Sequence, residues 1–339
     1  KSLYANRPLK KGETILNDDI KVMSPGQGIP PNKIDQLLGI CSPRDMEEGD
    51  VFFISDLNPH SVGPRKFNFQ RPFGIPVRYH DFSKLSKLSN LNFVEFHLSY
   101  KDMEVDLEKL FNENFDLEFT VHCPELFAND HILDLCSLDE SYRARSIEEV
   151  QRVIQTTLKL KKFFKKMERP LIVVNVGGHS QNSVLPVSER QKLYDLALES
   201  LSKLDQEGVE LIPQTMPPFP WHFGGQRFQN LFMEPNEISD FCQKNNYRVC
   251  LDISHSKLSC NHYKWSFKKF IETVGPNSAL FHIVDAGGVD GEGLQIGDGE
   301  VDFALLGEQL NALAPNAGFI PEIWQGHKNG GEGFWIALT

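Results

Sequence analysis

Val249-Cys250-Leu251-Asp252-Ile253-Ser254-His255 is a short apolar run that ends in a carboxylate and continues, three positions later, to an imidazole. On a strand leaving a core, Asp252 arrives at the strand's end and His255 on the segment after it, both facing whatever lies above. A barrel presents metal ligands in this way. The plainer reading is a strand-end carboxylate that caps the next helix. The same layout recurs along the chain, at Phe93-Val94-Glu95-Phe96-His97, Phe119-Thr120-Val121-His122, Leu171 to Asn175, Glu210 to Gln214, Ala279 to Asp285 and Phe319-Ile320-Pro321-Glu322. Amphipathic stretches separate these runs, so the alternation reads βαβα around a parallel sheet, whose strands are buried on both faces. With Gly74-Ile75-Pro76-Val77-Arg78 as the first strand there are about eight units, the number that closes a TIM barrel, and the site is expected at the strand C-termini.

The 339 residues exceed one typical core, so a barrel of ~250 residues with a smaller module is expected. A formal net charge of −11 argues against nucleic-acid and anionic-membrane partners. No apolar run is long enough to span a bilayer. The six cysteines have no CxxC spacing and read as reduced thiols of a cytoplasmic protein. The chain begins at Lys1 with no methionine or signal sequence, as a piece of a longer polypeptide would.

Residues 1–58 differ in texture. Short apolar pieces alternate with turn residues, as in Lys10-Lys11-Gly12-Glu13, Pro25-Gly26-Gln27-Gly28-Ile29 and Met46-Glu47-Glu48-Gly49-Asp50, which implies a compact, loop-rich module. Residues 59–72, rich in Pro, Asn and basic side chains, read as a linker, and 73–339 as the barrel. The first module resembles the antifreeze-protein-like (SAF) domain of sialic acid synthases through those motifs together with Ser2-Leu3-Tyr4-Ala5, Asp18-Asp19-Ile20, Leu38-Gly39 and Arg44-Asp45. The resemblance implies an upstream synthase barrel in the same polypeptide, and it leaves a homodimer open, because the family's domain reaches over a neighbouring subunit's active site. The family's arginine before the Pro-Gly pair is Ser24 here, and a hydroxyl has neither its charge nor its planar donor fork.

The second module resembles the xylose-isomerase-like TIM barrels, a superfamily of sugar isomerases and epimerases that also includes endonuclease-IV-type repair enzymes. The likeness rests on Val121-His122-Cys123-Pro124, Asp252-Ile253-Ser254-His255, His282 with Asp285, Ile296 to Phe303, and Pro321-Glu322. It implies a divalent cation, Mg²⁺, Mn²⁺ or Zn²⁺, held by Gln214, Asp252, His282 and Glu322. Gln214 departs from the family's glutamate, and an amide cannot serve as the second proton-transfer base of an epimerase. The repair branch needs further histidines; Gly177 stands at one of those positions, and Asp290 lacks its histidine partner.

Glu322 is therefore the expected base, with His122 or His97 as a second proton carrier. Each histidine also has a packing reading, as does His282. His179 follows Gly177-Gly178, where an anion could meet backbone donors or where a loop simply bends. The loop from Met216 to Arg227 reads as a lid in which Trp221 stacks on a sugar and Arg227 holds an anion, or as aromatics packed over the barrel mouth; His255 is a further substrate contact. Ser146-Ile147-Glu148-Glu149 reads as a capping box opening a helix, and Ser188 to Gln191 as another helix start. The expected function is metal-dependent isomerase, epimerase or lyase chemistry on an acylamino sugar or its phosphate in sialic-acid-like biosynthesis. The competing expectation is a non-catalytic module that binds sugar or tethers the synthase.

Overall fold

The computed structural model describes residues 1–57, 63–220, 223, 224 and 226–339. The chain forms two compact units, one of Lys1–Phe67 with Trp324–Thr339 and one of Asn68–Ile323. The sequence reading carries the barrel to residue 339, whereas the segment from Trp324 onward groups with the N-terminal unit. Part of the expected linker, residues 59–62, lies outside the described residues.

In the smaller unit, strands Ser2–Ala5 and Ile20–Met23 pair antiparallel, and isolated bridges tie Tyr4 to Val51 and Leu9 to Met46. Its core is Leu3, Leu9, Ile15, Ile29, Leu37 and Phe52, all essentially inaccessible to solvent. One ion pair supports it from inside. Asp56, buried, accepts hydrogen bonds from Arg44 Nε at 2.8 Å, Arg44 Nη2 at 3.1 Å and the Phe53 amide at 2.8 Å.

The larger unit contains the expected eight parallel strands: β1 Gly74–Val77, β2 Phe93–His97, β3 Glu118–His122, β4 Leu171–Val174, β5 Glu210–Pro213, β6 Val249–Asp252, β7 Ser278–Ile283 and β8 Gly318–Pro321. Strands β1 to β5 form one run and β6 to β8 another. Parallel bridges Gln214↔Cys250 and Phe73↔Phe319 join the runs and close the barrel. Phe93, Val173, Ile212, Cys250, Leu280 and Ile320 fill its interior. Side chains alternate across each strand, so residues two positions further along point inward again one layer up. Those residues carry the site.

Helices α1 Glu140–Lys161, α2 Val187–Ser202, α3 Pro235–Asn245, α4 Ile253–Tyr263, α5 Phe267–Val274 and α6 Phe303–Leu313 surround the strands. α1 starts at Glu140, because the Asp139 side chain accepts from the Ser141 and Tyr142 amides. The expected capping box is therefore interior to the helix. Ser146, instead of capping, contacts His131 Nε2 at 3.0 Å and accepts from the Asp134 amide at 3.1 Å. After β1 and β2 the crossovers contain only single turns, Phe82–Leu85, Asp102–Glu104 and Leu107–Leu110. Aromatic rings supply the bulk that full helices would provide. Phe164 is fully buried, with ring centroids 4.8 Å from Phe119, 5.2 Å from Phe115 and 5.7 Å from both Phe82 and Phe96. Phe164→Ala is expected to cost about 3–5 kcal/mol, read as a lower denaturant midpoint with an unchanged slope.

All six cysteines are unpaired; five are buried and Cys41 is exposed. No described helix is long and apolar enough to cross a membrane.

Candidate functional site

Register places the polar strand ends in one layer. His97 of β2 pairs with His122 of β3, and Asp252 of β6 pairs with His282 of β7. The Glu322 amide bonds to the Ile283 carbonyl at 3.2 Å, which sets Glu322 beside them. One ligand atom from each of His122, His282 and Glu322 lies within 4.8 Å of the others. His282 Nδ1 is 2.6 Å from Glu322 Oε2, 3.2 Å from Gln214 Nε2 and 3.7 Å from Asp252 Oδ2. Gln214 Nε2 donates to Asp252 Oδ2 at 3.2 Å, and Gln214 Oε1 is 3.2 Å from His122 Nε2. The four ligand positions expected from the sequence thus converge, and His122 joins them.

This donor set fits a divalent cation. Ligand bonds of about 2.0–2.2 Å place neighbouring ligand atoms roughly 3 Å apart; His282 Nδ1 and Glu322 Oε2 stand at 2.6 Å, and the His122, His282 and Glu322 ligand atoms all lie within 4.8 Å of one another. Asp252 orients the Gln214 amide so that its oxygen faces His122 Nε2. His122 Nδ1 meets the Cys123 carbonyl at 3.0 Å, so in the neutral ring that donates there, the Nε2 lone pair points at another acceptor.

Asp252 shows that the two readings of its motif are compatible. Its Oδ1 caps α4 by accepting the His255 amide at 2.8 Å, while Oδ2 faces the cluster. His255 is occupied on both ring nitrogens, Nδ1 at 2.9 Å from the Thr215 carbonyl and Nε2 at 3.1 Å from Glu292 Oε1. Burial opposes its charge, but Asp252 and Glu292 raise its pKa to about 10, consistent with a ring that donates twice.

Sequence reasoning passed over Glu95. It is completely buried inside β2, one layer below the strand ends. Its Oε1 lies 2.9 Å from His97 Nε2 and 3.0 Å from His282 Nε2, and its Oε2 accepts from Thr120 Oγ1 at 2.9 Å. The contact to His282 is off the axis of a linear hydrogen bond, and among the described residues Nε2 has no hydrogen-bond partner. Burial alone would raise the pKa of Glu95, but His282 and His97 hold it far below the ordinary carboxylate value. Its signal was the two-residue spacing from His97, which puts both on one face of the strand. Arg78 was also passed over. It directly follows β1 and donates through Nη1 to the His97 carbonyl.

Glu322 is the cluster's accessible carboxylate: its side chain is 27% exposed, against 1% for Asp252 and 0% for Glu95. Burial would raise its pKa, but His282, with His97 and His122, brings it well below the usual range. His97 Nδ1 stands 3.8 Å from Glu322 Oε1. Burial lowers the pKa of His97 against the pull of Glu95.

The remaining expected residues lie elsewhere on the mouth loops. The Gly177 and Gly178 amides, read as anion donors or as a simple loop bend, donate to Asn175 Oδ1 at 3.0 Å and Asp134 Oδ1 at 3.1 Å. Both glycines have φ near +87°, at +88° and +85°, and a Cβ on Gly177 would come within 2.3 Å of Asp134 Oδ1, so the pair serves this turn. His179 meets Phe223 edge-on at 4.5 Å, and the Arg227 guanidinium lies 5.6 Å over the same ring. Trp221 is outside the described residues. Asp285 faces away from the ligands; its carboxylate accepts the Ala286, Gly297, Gly299 and Val301 amides and fixes the turn before α6.

Residues 82–335 match the family described as Xylose isomerase-like TIM barrel. The chain belongs to that family. Residues 1–58 match the SAF domain. Among solved structures, the xylose isomerase-like barrel resembles a D-tagatose 3-epimerase-like protein (TM-score 0.53, 19% identity, 75% of this chain and 92% of that one). It also resembles a putative xylose isomerase from Rhodospirillum rubrum (TM-score 0.57, 12% identity, 79% and 96%). At these identities the likeness establishes the fold. An uncharacterized protein of Methanocaldococcus jannaschii is 26% identical over 205 residues, 59% of this chain and 69% of its own. A pseudaminic acid synthase of Campylobacter jejuni is 38% identical over 56 residues, 16% of either chain.

Proposed function

We propose that this xylose isomerase-like barrel is a divalent-metal-dependent sugar isomerase, with Glu322 as its proton-transfer base. The observation that carries this reading is that Glu322 alone among the clustered carboxylates is both ionised and partly open to the mouth. Gln214 stands where a second base would, so proton transfer from both faces of one carbon lacks a partner. A single carboxylate suffices for aldose–ketose interconversion. It removes the proton from the carbon bearing the hydroxyl and returns it to the adjacent carbon on the same face. His97, beside Glu322, is suited to carry the proton between the two oxygens, and His122 is the alternative carrier. Gln214, Asp252, His282 and Glu322, with His122, would hold Mg²⁺, Mn²⁺ or Zn²⁺, which supplies Lewis acidity toward a carbonyl or hydroxyl oxygen. The SAF match and the partial likeness to a pseudaminic acid synthase favour an acylamino sugar or its phosphate as substrate, within nonulosonic acid biosynthesis.

The second reading is a sugar-binding module without turnover. The Gln214 amide favours it, since it bridges Asp252 and His282 in the middle of the ligand set. Metal analysis of chelator-treated protein titrated with Mn²⁺, Zn²⁺ and Mg²⁺, followed by an isomerisation screen on N-acylated hexosamines and their phosphates, separates the two. The expected result is uptake of an ion and aldose–ketose interconversion, both lost in Asp252→Ala. Uptake without turnover supports the binding module, and absence of both defeats the enzymatic reading.

A further inference from the structure

We infer that Glu95 is a positioning residue which sets the orientation and tautomer of two site histidines at once. The inference rests on the metal-dependent reading above for its effect on the ion, but not for its effect on the rings.

A fully buried carboxylate in the middle of an apolar strand costs several kcal/mol unless its surroundings compensate. Val94 and Phe96 on either side of Glu95 are buried apolar packing on the opposite face of β2, and Phe93, on the face of Glu95, is apolar as well. The compensation comes from three groups. Thr120, the register partner of Glu95 on β3, donates its hydroxyl to Oε2. The other oxygen faces His97 Nε2 at 2.9 Å and His282 Nε2 at 3.0 Å. The His97 and His282 ring centroids are 6.3 Å apart with planes inclined by 27°, so one oxygen lies against two nearly parallel rings, hydrogen-bonded to His97 and in off-axis contact with His282.

An acceptor at Nε2 favours the Nε2–H tautomer of a neutral ring, which leaves Nδ1 as the lone-pair nitrogen of His97 and, where an ion takes the place of the Nδ1 proton now shared with Glu322 at 2.6 Å, of His282. In both rings Nδ1 is the atom turned upward. His282 Nδ1 faces Glu322, Gln214 and Asp252, and His97 Nδ1 faces Glu322. Glu95 therefore touches neither the cation nor substrate. It presents one nitrogen to the ligand set and a second to the base. A carboxylate behind a metal-bound histidine typically accounts for about 10–100-fold in metal affinity.

The test compares the full chain with Glu95→Gln. Ring-nitrogen NMR of ¹⁵N-histidine-labelled, metal-free protein reads the His97 tautomer, the same measurement on Zn²⁺-loaded protein reads His282, and calorimetric titration with Mn²⁺ reads affinity. Wild type is expected to show Nε2–H on both rings. Glu95→Gln is expected to mix the tautomers and weaken Mn²⁺ binding about 10–100-fold. If Glu95→Gln does not fold, Thr120→Val loosens the carboxylate without removing its charge, and a severalfold loss of affinity with a shifted His97 tautomer is expected. Unchanged tautomers in the folded variant would overturn the inference and reduce Glu95 to a buried polar residue. Wild-type protein that takes up no Mn²⁺ would overturn the metal reading instead, and the metal-free His97 spectrum would still decide for or against Glu95.

Discussion

Glu322→Gln is expected to lower kcat/KM for the isomerised sugar about 10²–10⁴-fold, the range for removing a general base, while the barrel stays folded. The substitution keeps an oxygen able to accept from His282 Nδ1, now 2.6 Å away, so the layer can persist. It removes the anion that takes the carbon-bound proton. Because Glu322 is also a proposed ligand, loss of activity alone would not separate base from ligand. Glu322→Asp separates them. It retains a charged ligand but withdraws the base by one methylene, and a displacement near 1 Å can itself cost about 100-fold. The expected pattern is weakened Mn²⁺ uptake in Glu322→Gln, near-normal uptake in Glu322→Asp, and low kcat in both. Substrate turnover that survives both substitutions would transfer the base to another residue and end the single-carboxylate mechanism.

The fold and the upper layer of the site were legible because they obey one simple rule. An apolar run buried on both faces must end where a polar group can be satisfied, and in this barrel the ends of β2, β3, β6, β7 and β8 meet in one ring. His97, His122 and Asp252 end their strands, Glu322 directly follows β8, and His282 stands one residue before the end of β7. Glu95 broke the rule by sitting inside a run, where a carboxylate is tolerated only with partners on other strands, and those partners are distant in sequence. Ser146 misled for a related reason. Its sequence neighbours form a plausible capping box, but Asp139 offers an earlier cap, and His131 draws the Ser146 hydroxyl into the interior. The Gly177 and Gly178 amides were spent on Asn175 and on Asp134, whose approach depends on tertiary packing.

Gln214→Glu is the substitution that makes the strongest demand on the cation. Gln214 is buried, with 2% of its surface exposed, and its Nε2 is a donor to Asp252 Oδ2. A glutamate there replaces that donor with a like charge at about the same distance. Uncompensated buried charges cost about 3–5 kcal/mol, so the metal-free variant is expected to melt roughly 6–15 °C below wild type. His282 offsets part of this loss; burial opposes its charge, but the neighbouring Glu322 and Glu95 help raise its pKa well above the usual value. A divalent cation reverses the balance, because a third carboxylate now binds it directly. Mn²⁺ is expected to restore the melting temperature and to add more stability to Gln214→Glu than to wild type, by an amount that grows with the logarithm of ion concentration over Kd. The same change creates a second base, so the loaded variant is expected to gain epimerisation at the carbon that wild type only isomerises. A Gln214→Glu protein as stable without Mn²⁺ as with it would mean that Asp252, His282 and Glu322 form a hydrogen-bonded polar layer and not a ligand set. In that case the amide of Gln214 is the group the layer was built around, because it alone can donate to Asp252 and face the His122 ring at once.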